Sequence, residues 1–239
     1  MPQLRQLAIV AESPAGLGAF YQDVFELEKI GEEKGAVFVS DGSFNLALLP
    51  GRKDRARGFS YLGFETVRVE SIRKRLAQTA DGAASLVESV ADSGIEHEHE
   101  MRDPDGNLIG LCKRAFDVSY QKGPVPIRHI ALYTPNPQRL ANFYCQVLDM
   151  KEIDRTDRSS IFVSDGYLNL ALLYQRTEEP LGVNHFGFHV RSNEEMRARA
   201  EKAGAPAGAR RPDRIPFAEY RVHDPEGNGI DISEKGWKA

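Results

Sequence analysis

Residues 38–49 read FVSDGSFNLALL, and residues 162–173 read FVSDGYLNLALL. In each copy two apolar runs flank a Ser-Asp-Gly turn signal, which predicts two strands joined as a hairpin. The copies lie in opposite halves of the chain, and a long internal repeat indicates an architecture of equivalent units. We therefore predict that the chain is made of two similar halves.

The repeat extends well beyond the hairpin. Each half reads as strand, helix, strands, and then the same order again. Ser13-Pro14 and Asn136-Pro137 are typical helix starts, with an N-cap side chain followed by a first-turn proline. The matching segments are LRQLAIVAESPAGLGAFYQDVFELEKI (4–30) with IRHIALYTPNPQRLANFYCQVLDMKEI (127–153), GFSYLGFE (58–65) with GVNHFGFH (182–189), and DPDGNLIGL (103–111) with DPEGNGIDI (224–232).

Three strands of the second half carry polar or small residues on one face. Side chains alternate along a strand, so residues two apart share a face. The apolar residues of these strands, such as Ile130 and Leu132, form the face predicted to pack under helices. The opposite face holds His129, Ala131 and Tyr133 on one strand, His185, Gly187 and His189 on another, and Gly229 and Asp231 on the third.

Two imidazoles and one carboxylate on the same sheet face suggest a metal site. Three protein ligands leave coordination positions for water, oxygen or a bidentate substrate, and two His with one carboxylate suit non-haem Fe²⁺, with Mn²⁺ or Zn²⁺ as alternatives. The candidate ligands are His129, His185 and Asp231.

The segments RHIALYTPNPQRLANFYCQVLDM, NHFGFHV and DPEGNGIDI resemble the vicinal oxygen chelate superfamily of glyoxalases, bleomycin and fosfomycin resistance proteins and extradiol dioxygenases. The resemblance covers nearly the whole chain. It implies an α+β fold of two tandem glyoxalase-like domains, each made of paired βαβββ modules that form a cupped mixed sheet with flanking helices. It also implies metal ligands at His129, His185 and Asp231, where Asp231 stands in place of the usual Glu.

The two halves differ at those three positions. The first half has Gln6, Tyr61 and Gly110 there. We therefore expect a domain at 1–118 with a degenerate metal site and a domain at 124–239 with the working one. This division resembles the extradiol dioxygenases, in which the second domain catalyses.

The resemblance favours a metal-dependent enzyme that acts on a small oxygen-chelating substrate, most of all an extradiol-type dioxygenase. Fe²⁺ is the favoured cofactor, with Mn²⁺ or Zn²⁺ as alternatives. His189 is a candidate general acid or base, Tyr133 a candidate hydrogen-bond donor to an oxyanion, and His223 a further candidate on the strand before DPEGN.

Three alternatives stay open. A glyoxalase-type isomerase or lyase usually needs a second carboxylate, where this chain has Ala47 and Ala171. A non-catalytic protein of the resistance type would bind a drug or metabolite in the cup. Modules that pair across the halves would bring Gln6, instead of His129, to His185 and Asp231.

Composition and charge argue against a nucleic-acid-binding protein and against a membrane protein. The 239 residues are 41% hydrophobic with a formal net charge of −4, which argues against nucleic acid as a partner. No apolar run approaches the length of a membrane span and no leader is evident, so we expect a cytoplasmic protein, with a homodimer as one option. We expect Cys112 and Cys145 to be reduced, and EHEHE (96–100) to be an exposed edge strand.

Overall fold

The computed structural model describes residues 1–51, 56–79, 86–89, 97–113, 125–156, 160–176, 178, 180–213, 215 and 218–239. Within these, each half of the chain forms its own eight-stranded mixed sheet, as the repeat predicts. The elements of the first half are β1 (Gln3–Ala11), α1 (Pro14–Phe25), β2 (Glu28–Glu33), β3 (Ala36–Ser40), β4 (Asn45–Pro50), β5 (Gly58–Glu65), α2 (Val69–Leu76), β6 (Val87–Glu88), β7 (His99–Arg102) and β8 (Leu108–Cys112).

The second half repeats this order of elements. They are β9 (Ile127–Thr134), α3 (Pro137–Leu148), β10 (Lys151–Arg155), β11 (Ile161–Ser164), β12 (Asn169–Tyr174), β13 (Gly182–His189), α4 (Asn193–Lys202), β14 (Ala209–Arg210), β15 (Tyr220–His223) and β16 (Gly229–Ser233). The α+β fold of two tandem glyoxalase-like units is confirmed.

Both sheets have the same strand order. The first runs β2-β3-β4-β1-β5-β8-β7-β6 and the second runs β10-β11-β12-β9-β13-β16-β15-β14. The two modules of each half meet where β1 pairs antiparallel with β5, and β9 with β13. Modules therefore pair within each half, and the alternative in which Gln6 joins His185 and Asp231 is wrong. The domain limits 1–118 and 124–239 stay a prediction, because residues 114–124 lie outside the described part.

The first helix of each half begins and ends as its sequence dictates. Ser13 Oγ accepts a hydrogen bond from the Gly16 amide, and Asn136 Oδ1 accepts one from Arg139. Each of these side chains satisfies an amide that the first helical turn leaves without a partner. Both helices end where the backbone turns left-handed, so they lie at equivalent places in the two halves.

The repeated Ser-Asp-Gly turn also joins the two halves. One carboxylate oxygen of Asp41 accepts the amides of its own turn, and the other accepts the Ile127 amide at 2.6 Å. In the second half, one carboxylate oxygen of Asp165 likewise accepts the amides of its own turn, and the other accepts the Leu4 amide of the first half at 2.8 Å. Each turn is thus hydrogen-bonded to the first strand of the opposite half.

The Phe-Tyr pairs and the DPxGN turns form a second set of reciprocal contacts. Tyr21 donates to Asp224 Oδ2 at 2.7 Å, and Tyr144 donates to Asp103 Oδ2 at 3.0 Å. Each Asp belongs to the DPxGN turn of the other half and is buried. The most strongly repeated residues of the sequence therefore hold the halves together.

One continuous hydrophobic core joins strands and helices of both halves. It includes Ile130 and Leu132, which confirms the predicted helix-side face of β9. The rings of Phe25 and Phe188, from different halves, stack with centroids 4.0 Å apart. Among the described residues, no helix has both the length and the apolar character to cross a membrane.

Candidate functional site

The face of the second sheet that points away from the shared core carries the candidate ligands, and we call it the cup face. Strand register places five residues in one row across it. Asn169 pairs with His129, His129 with Gly187, Gly187 with Asp231, and Asp231 with Arg221. Residues in register share a face. Because Gly187 has no side chain, the row has a gap between His129 and Asp231.

The neighbouring row brings the second histidine to the same place. His185 lies in register with Ala131 on one side and Gly229 on the other, and Gly229 pairs with His223. The small residues beside His185 leave room for its imidazole over the sheet. The structure therefore gathers His129, His185 and Asp231 from three adjacent strands.

The three side chains are buried and close to one another. His185 Nε2 lies 3.2 Å from Asp231 Oδ2, and the rings of His129 and His185 have centroids 5.4 Å apart. Their exposed fractions are 5% for His129, 3% for His185 and 2% for Asp231. Bulk water is thus largely excluded from the three polar groups.

The orientation of the His129 ring follows from its hydrogen bonds. Nδ1 of His129 lies 2.9 Å from Oδ1 of Asn169, while Nδ2 of Asn169 donates to the Lys238 carbonyl at 2.8 Å. That second bond assigns the amide nitrogen, so the facing oxygen must accept the Nδ1 proton of His129. The neutral ring therefore keeps a lone pair on Nε2, the state that a metal ligand requires.

His185 lies between two oxygen atoms. Its Nδ1 is 2.8 Å from Asn184 Oδ1, and its Nε2 is 3.2 Å from Asp231 Oδ2. Burial lowers the pKa of His185 and outweighs the opposite effect of Asp231, so the ring is neutral near pH 7. A neutral imidazole has one proton. The single proton of the neutral ring therefore serves one of these two contacts at a time.

Protonation states in the site follow from burial and charge. Burial, followed by the neighbouring His185, lowers the pKa of His129 to about 3. Burial opposes ionisation of Asp231, but His185 and Arg221 outweigh it and hold the pKa of that carboxyl well below its usual value. The site therefore combines two neutral imidazoles with one carboxylate.

Arg221 is a site residue that the sequence interpretation did not select. Its Nε donates to Asp231 Oδ1 at 2.6 Å, and Arg211 Nε lies 3.9 Å from the same oxygen. The Asp231 carboxylate is thus shared between an imidazole on one oxygen and a guanidinium on the other. Arg221 lies two residues before His223 on β15, so strand alternation already placed it on this face.

Trp237 fills the gap above Gly187. Its indole is nearly parallel to the His129 ring, with 4° between the planes and centroids 5.0 Å apart. A Cβ atom added to Gly187 would lie 2.8 Å from Trp237 Cη2. The C-terminal tail therefore occupies the space between His129 and Asp231.

The three predicted catalytic residues lie at different distances from this centre. His223 is half-buried at the end of the His185 row, and Tyr133 is half-buried two residues beyond Ala131 on β9. His189 is exposed, with Gly236 against its ring and Nε2 3.2 Å from the Glu234 carbonyl. Their catalytic roles stay predictions.

The donor set suits a divalent ion, but the structure does not present a closed ligand cluster. Within the described ranges, no three His, Cys, Asp or Glu side chains are grouped so that they could hold a metal. Two neighbours account for this: Trp237 separates His129 from Asp231, and Arg221 holds one Asp231 oxygen. His129, His185 and Asp231 supply two imidazoles and one carboxylate, and their role as metal ligands stays a prediction.

The first half has the same rows with different contents. Gln6, Gly63 and Gly110 are in register where the second half has His129, Gly187 and Asp231. The His97 ring packs where a Gly110 side chain would be, 2.8 Å from the position of the missing Cβ. Its Nε2 lies 3.1 Å from Glu100 Oε2. This cup is filled by its own side chains.

Glu96 lies outside the described residues, and for residues 97–100 the prediction of an exposed edge strand is wrong. His97 is buried, and β7 lies between β8 and the outer strand β6. The alternation of acids and histidines suggested a solvated strand, but Gly110 opens a space in the sheet that accepts one of these imidazoles. Cys112 and Cys145 are both free thiols, as predicted.

Comparison with solved structures shows the same fold across the whole chain. The 2,3-dioxygenase LapB from Pseudomonas sp. KL28 is 18% identical, with a TM-score of 0.70 over 99% of this chain and 92% of that one. The Mn(II)-bound glyoxalase from Novosphingobium aromaticivorans is 19% identical, with a TM-score of 0.69 over 98% and 83%. The 2,2',3-trihydroxybiphenyl 1,2-dioxygenase from Sphingomonas wittichii strain RW1 is 17% identical, with a TM-score of 0.68 over 97% and 90%.

Sequence comparison agrees with the fold. No curated protein matches the chain. A family model described as the Glyoxalase/Bleomycin resistance protein/Dioxygenase superfamily matches residues 127–232, the half that carries the candidate ligands. The second half of the chain is therefore similar to this superfamily, and the first half repeats the same strand order.

Proposed function

We propose that the cup face of the second half is the active site of a metal-dependent enzyme of the extradiol dioxygenase type. In this proposal His129, His185 and Asp231 hold a divalent ion, and the substrate is a small molecule with adjacent oxygen atoms. Two His and one carboxylate favour Fe²⁺, with Mn²⁺ or Zn²⁺ as alternatives. The first half supports the fold and takes no part in the reaction.

The contact between His185 and Asp231 carries this proposal. Nε2 and Oδ2 come from adjacent strands, are buried, and face each other at 3.2 Å. Neighbouring ligands on one ion, each about 2.0–2.2 Å from it, are separated by about 2.8–3.6 Å. A shared cation suits this spacing.

Hydrogen bonds from outside the ligand set hold the two imidazoles in place. Asn169 fixes the His129 ring, and Asn184 fixes the His185 ring. Such partners orient ligands and set the tautomer. When bound, the ion supplies Lewis-acid chemistry and a binding point for substrate oxygens.

Further residues have proposed roles beside the ligands. His223, at the end of the His185 row, is suited by position to exchange a proton with a substrate hydroxyl. Tyr133, on the same strand as His129, is suited to donate a hydrogen bond to a substrate oxygen. His189 is a weaker candidate, because its exposed ring lies under the tail at Gly236. A glyoxalase-type lyase is less well supported, since buried Ala171 supplies no second carboxylate.

A second candidate function is metal-free binding of a small molecule. The ion pair of Arg221 with Asp231 at 2.6 Å favours it, because the guanidinium already neutralises the carboxylate. The stacking of the Trp237 indole on His129 also favours metal-free binding, because the indole covers one of the proposed ligands. In this alternative the cup binds a drug or metabolite without chemistry.

Metal titration separates the two functions. Protein purified without a metal-affinity tag is titrated with Fe²⁺ and Mn²⁺ by anaerobic calorimetry, beside His185→Ala and the control His99→Ala, which removes an imidazole from the first half. We expect one ion per chain, binding at least tenfold weaker in His185→Ala, and an unchanged control. Oxygen uptake with a panel of catechols then tests the reaction class. Absence of binding, or equal binding by all three proteins, would refute the metal site.

A further inference from the structure

Two equivalent arginines meet at one tyrosine where the halves of the chain touch. Arg5 lies on β1 and Arg128 on β9, at the same position of the repeat. The guanidinium carbon of Arg5 lies 5.1 Å from the centre of the Tyr167 ring, and that of Arg128 lies 4.6 Å from it. The two guanidinium groups are therefore no more than about 10 Å apart.

Arg128 is a half-buried cation without a polar partner in the described part of the chain. Its guanidinium forms neither a hydrogen bond nor an ion pair there, and its Nε is buried. The Tyr167 ring attracts the cation, but it is neutral and offers no oxygen atom to the N–H groups. Because no hydrogen bond holds this guanidinium, it is free to turn toward a ligand.

Arg5 has one hydrogen-bond donor to spare. Nη1 of Arg5 donates to the Ser43 carbonyl at 3.2 Å, and Nη2 donates to Gln3 Oε1 at 2.7 Å. Its Nε is buried and has no hydrogen-bond partner among the described residues. A buried N–H without an acceptor costs free energy, which a ligand oxygen would restore.

The acids next to the two arginines do not use these donors. Asp41 and Asp165 each accept two amides of their own turn and one amide from the first strand of the opposite half. Burial raises the pKa of Asp41, and the charge of Arg5 opposes that effect. These carboxylates therefore reduce the local positive charge, but they leave the Nε atoms of Arg5 and Arg128 without acceptors.

We propose that Arg5 and Arg128 form a binding site for a phosphate group between the two halves. A phosphate presents oxygens in several directions, so it can accept from Arg5 Nε and from the Arg128 guanidinium together, whereas the two oxygens of a carboxylate lie in one plane. The bound phosphate links the halves, because each half contributes one arginine. The site includes none of the candidate metal ligands and does not depend on the proposed function.

Calorimetric titration of the metal-free, full-length protein tests this site. EDTA is used to remove metal and is then dialysed away, and inorganic phosphate or acetate is titrated in a chloride buffer of constant ionic strength. We expect one phosphate per chain, bound about tenfold or more tightly than acetate. Glycerol phosphate is titrated in the same way. Tighter binding of this ester would assign the site to a phosphorylated small molecule, and tighter binding of inorganic phosphate would assign it to the free ion.

Three variants locate the phosphate. Arg128→Gln removes the guanidinium, and we expect it to bind phosphate about tenfold or more weakly than the wild-type protein. Arg210→Gln, at an exposed arginine on β14, is the matched control and should bind as the wild type does. Arg221→Gln, in the cup, should also keep wild-type binding. If Arg128→Gln does not fold, Arg5→Gln takes its place and should show the same direction of change.

Absence of phosphate binding by the wild-type protein, or equal binding by the wild type and Arg128→Gln, would overturn the proposal. Loss of binding in Arg221→Gln alone would place the anion in the cup, and the role given to Arg5 and Arg128 would be wrong. Since phosphate is titrated here without metal, a failed Mn²⁺ titration would refute the metal site and leave this result standing.

Discussion

Replacing His129 with Gln tests whether this imidazole is held neutral in a buried site. Gln6 occupies the equivalent row position in the first half, so the fold already accommodates this side chain there. The variant removes the titratable ring and keeps an amide of similar reach. We expect it to weaken the pH dependence of folding stability between pH 7 and pH 5.

The magnitude follows from the pKa of His129. Burial lowers it from 6.5 to about 3 in the folded protein. The unfolded chain therefore binds a proton between these values while the folded chain does not, so this residue makes the free energy of unfolding fall as pH falls. At pH 5 the loss is about 2 kcal/mol, at about 1.4 kcal/mol per pH unit below 6.5. A folded pKa anywhere below about 4 gives nearly the same figure.

Urea unfolding at pH 7 and pH 5, in EDTA, measures the effect. We expect the wild-type protein to lose about 2 kcal/mol more than His129→Gln between the two pH values. His189→Gln is the control, because that ring is exposed to solvent, and it should keep the wild-type loss. An equal loss in the wild type and in His129→Gln would refute the neutral, buried imidazole.

Two further predictions concern the contact between the halves and the tail. Tyr144→Phe removes the 3.0 Å hydrogen bond to buried Asp103, and we expect urea unfolding to show that the free energy of unfolding falls by about 1.5–3 kcal/mol. A fall below about 0.5 kcal/mol would contradict the role of this bond in holding the halves together. Gly187→Ala places a methyl group 2.8 Å from Trp237, so we expect its emission to shift to longer wavelength as the tail leaves the cup. Gly229→Ala is the control, because the nearest atom to its added methyl group is the Cβ of His185, at 3.4 Å. This variant should leave the emission nearly unchanged. Equal spectra for the two variants would contradict the position of the indole.

Much of the fold was predictable from the repeat and from strand alternation. Residues two apart on β9, β13 and β16 share a face whatever the sheet topology, so His129, His185 and Asp231 could be assigned to one face without knowledge of strand order. The turn at 224–228 also predicts which residues of the two strands beside it face each other. Because a hairpin pairs residues equidistant from its turn, Arg221 had to oppose Asp231. The Arg221 ion pair was therefore available from the sequence.

Other features had no local signal. The gap at Gly187 depends on the register of β9 with β13 and of β13 with β16, which no single segment encodes. The path of the tail, which brings Trp237 to His129, depends on a contact between distant parts of the sequence. The reciprocal hydrogen bonds of Asp41 and Asp165 were visible only as a repeated motif, since each Asp also serves its own turn.

Anomalous diffraction at the manganese edge, from crystals grown with Mn²⁺, tests the metal site most directly. We predict one peak in the second half, in contact with His185 Nε2, Asp231 Oδ2 and His129, with the Trp237 indole no longer above Gly187. A cup face without a peak, in which Arg221 still holds Asp231, would contradict the metal-dependent function.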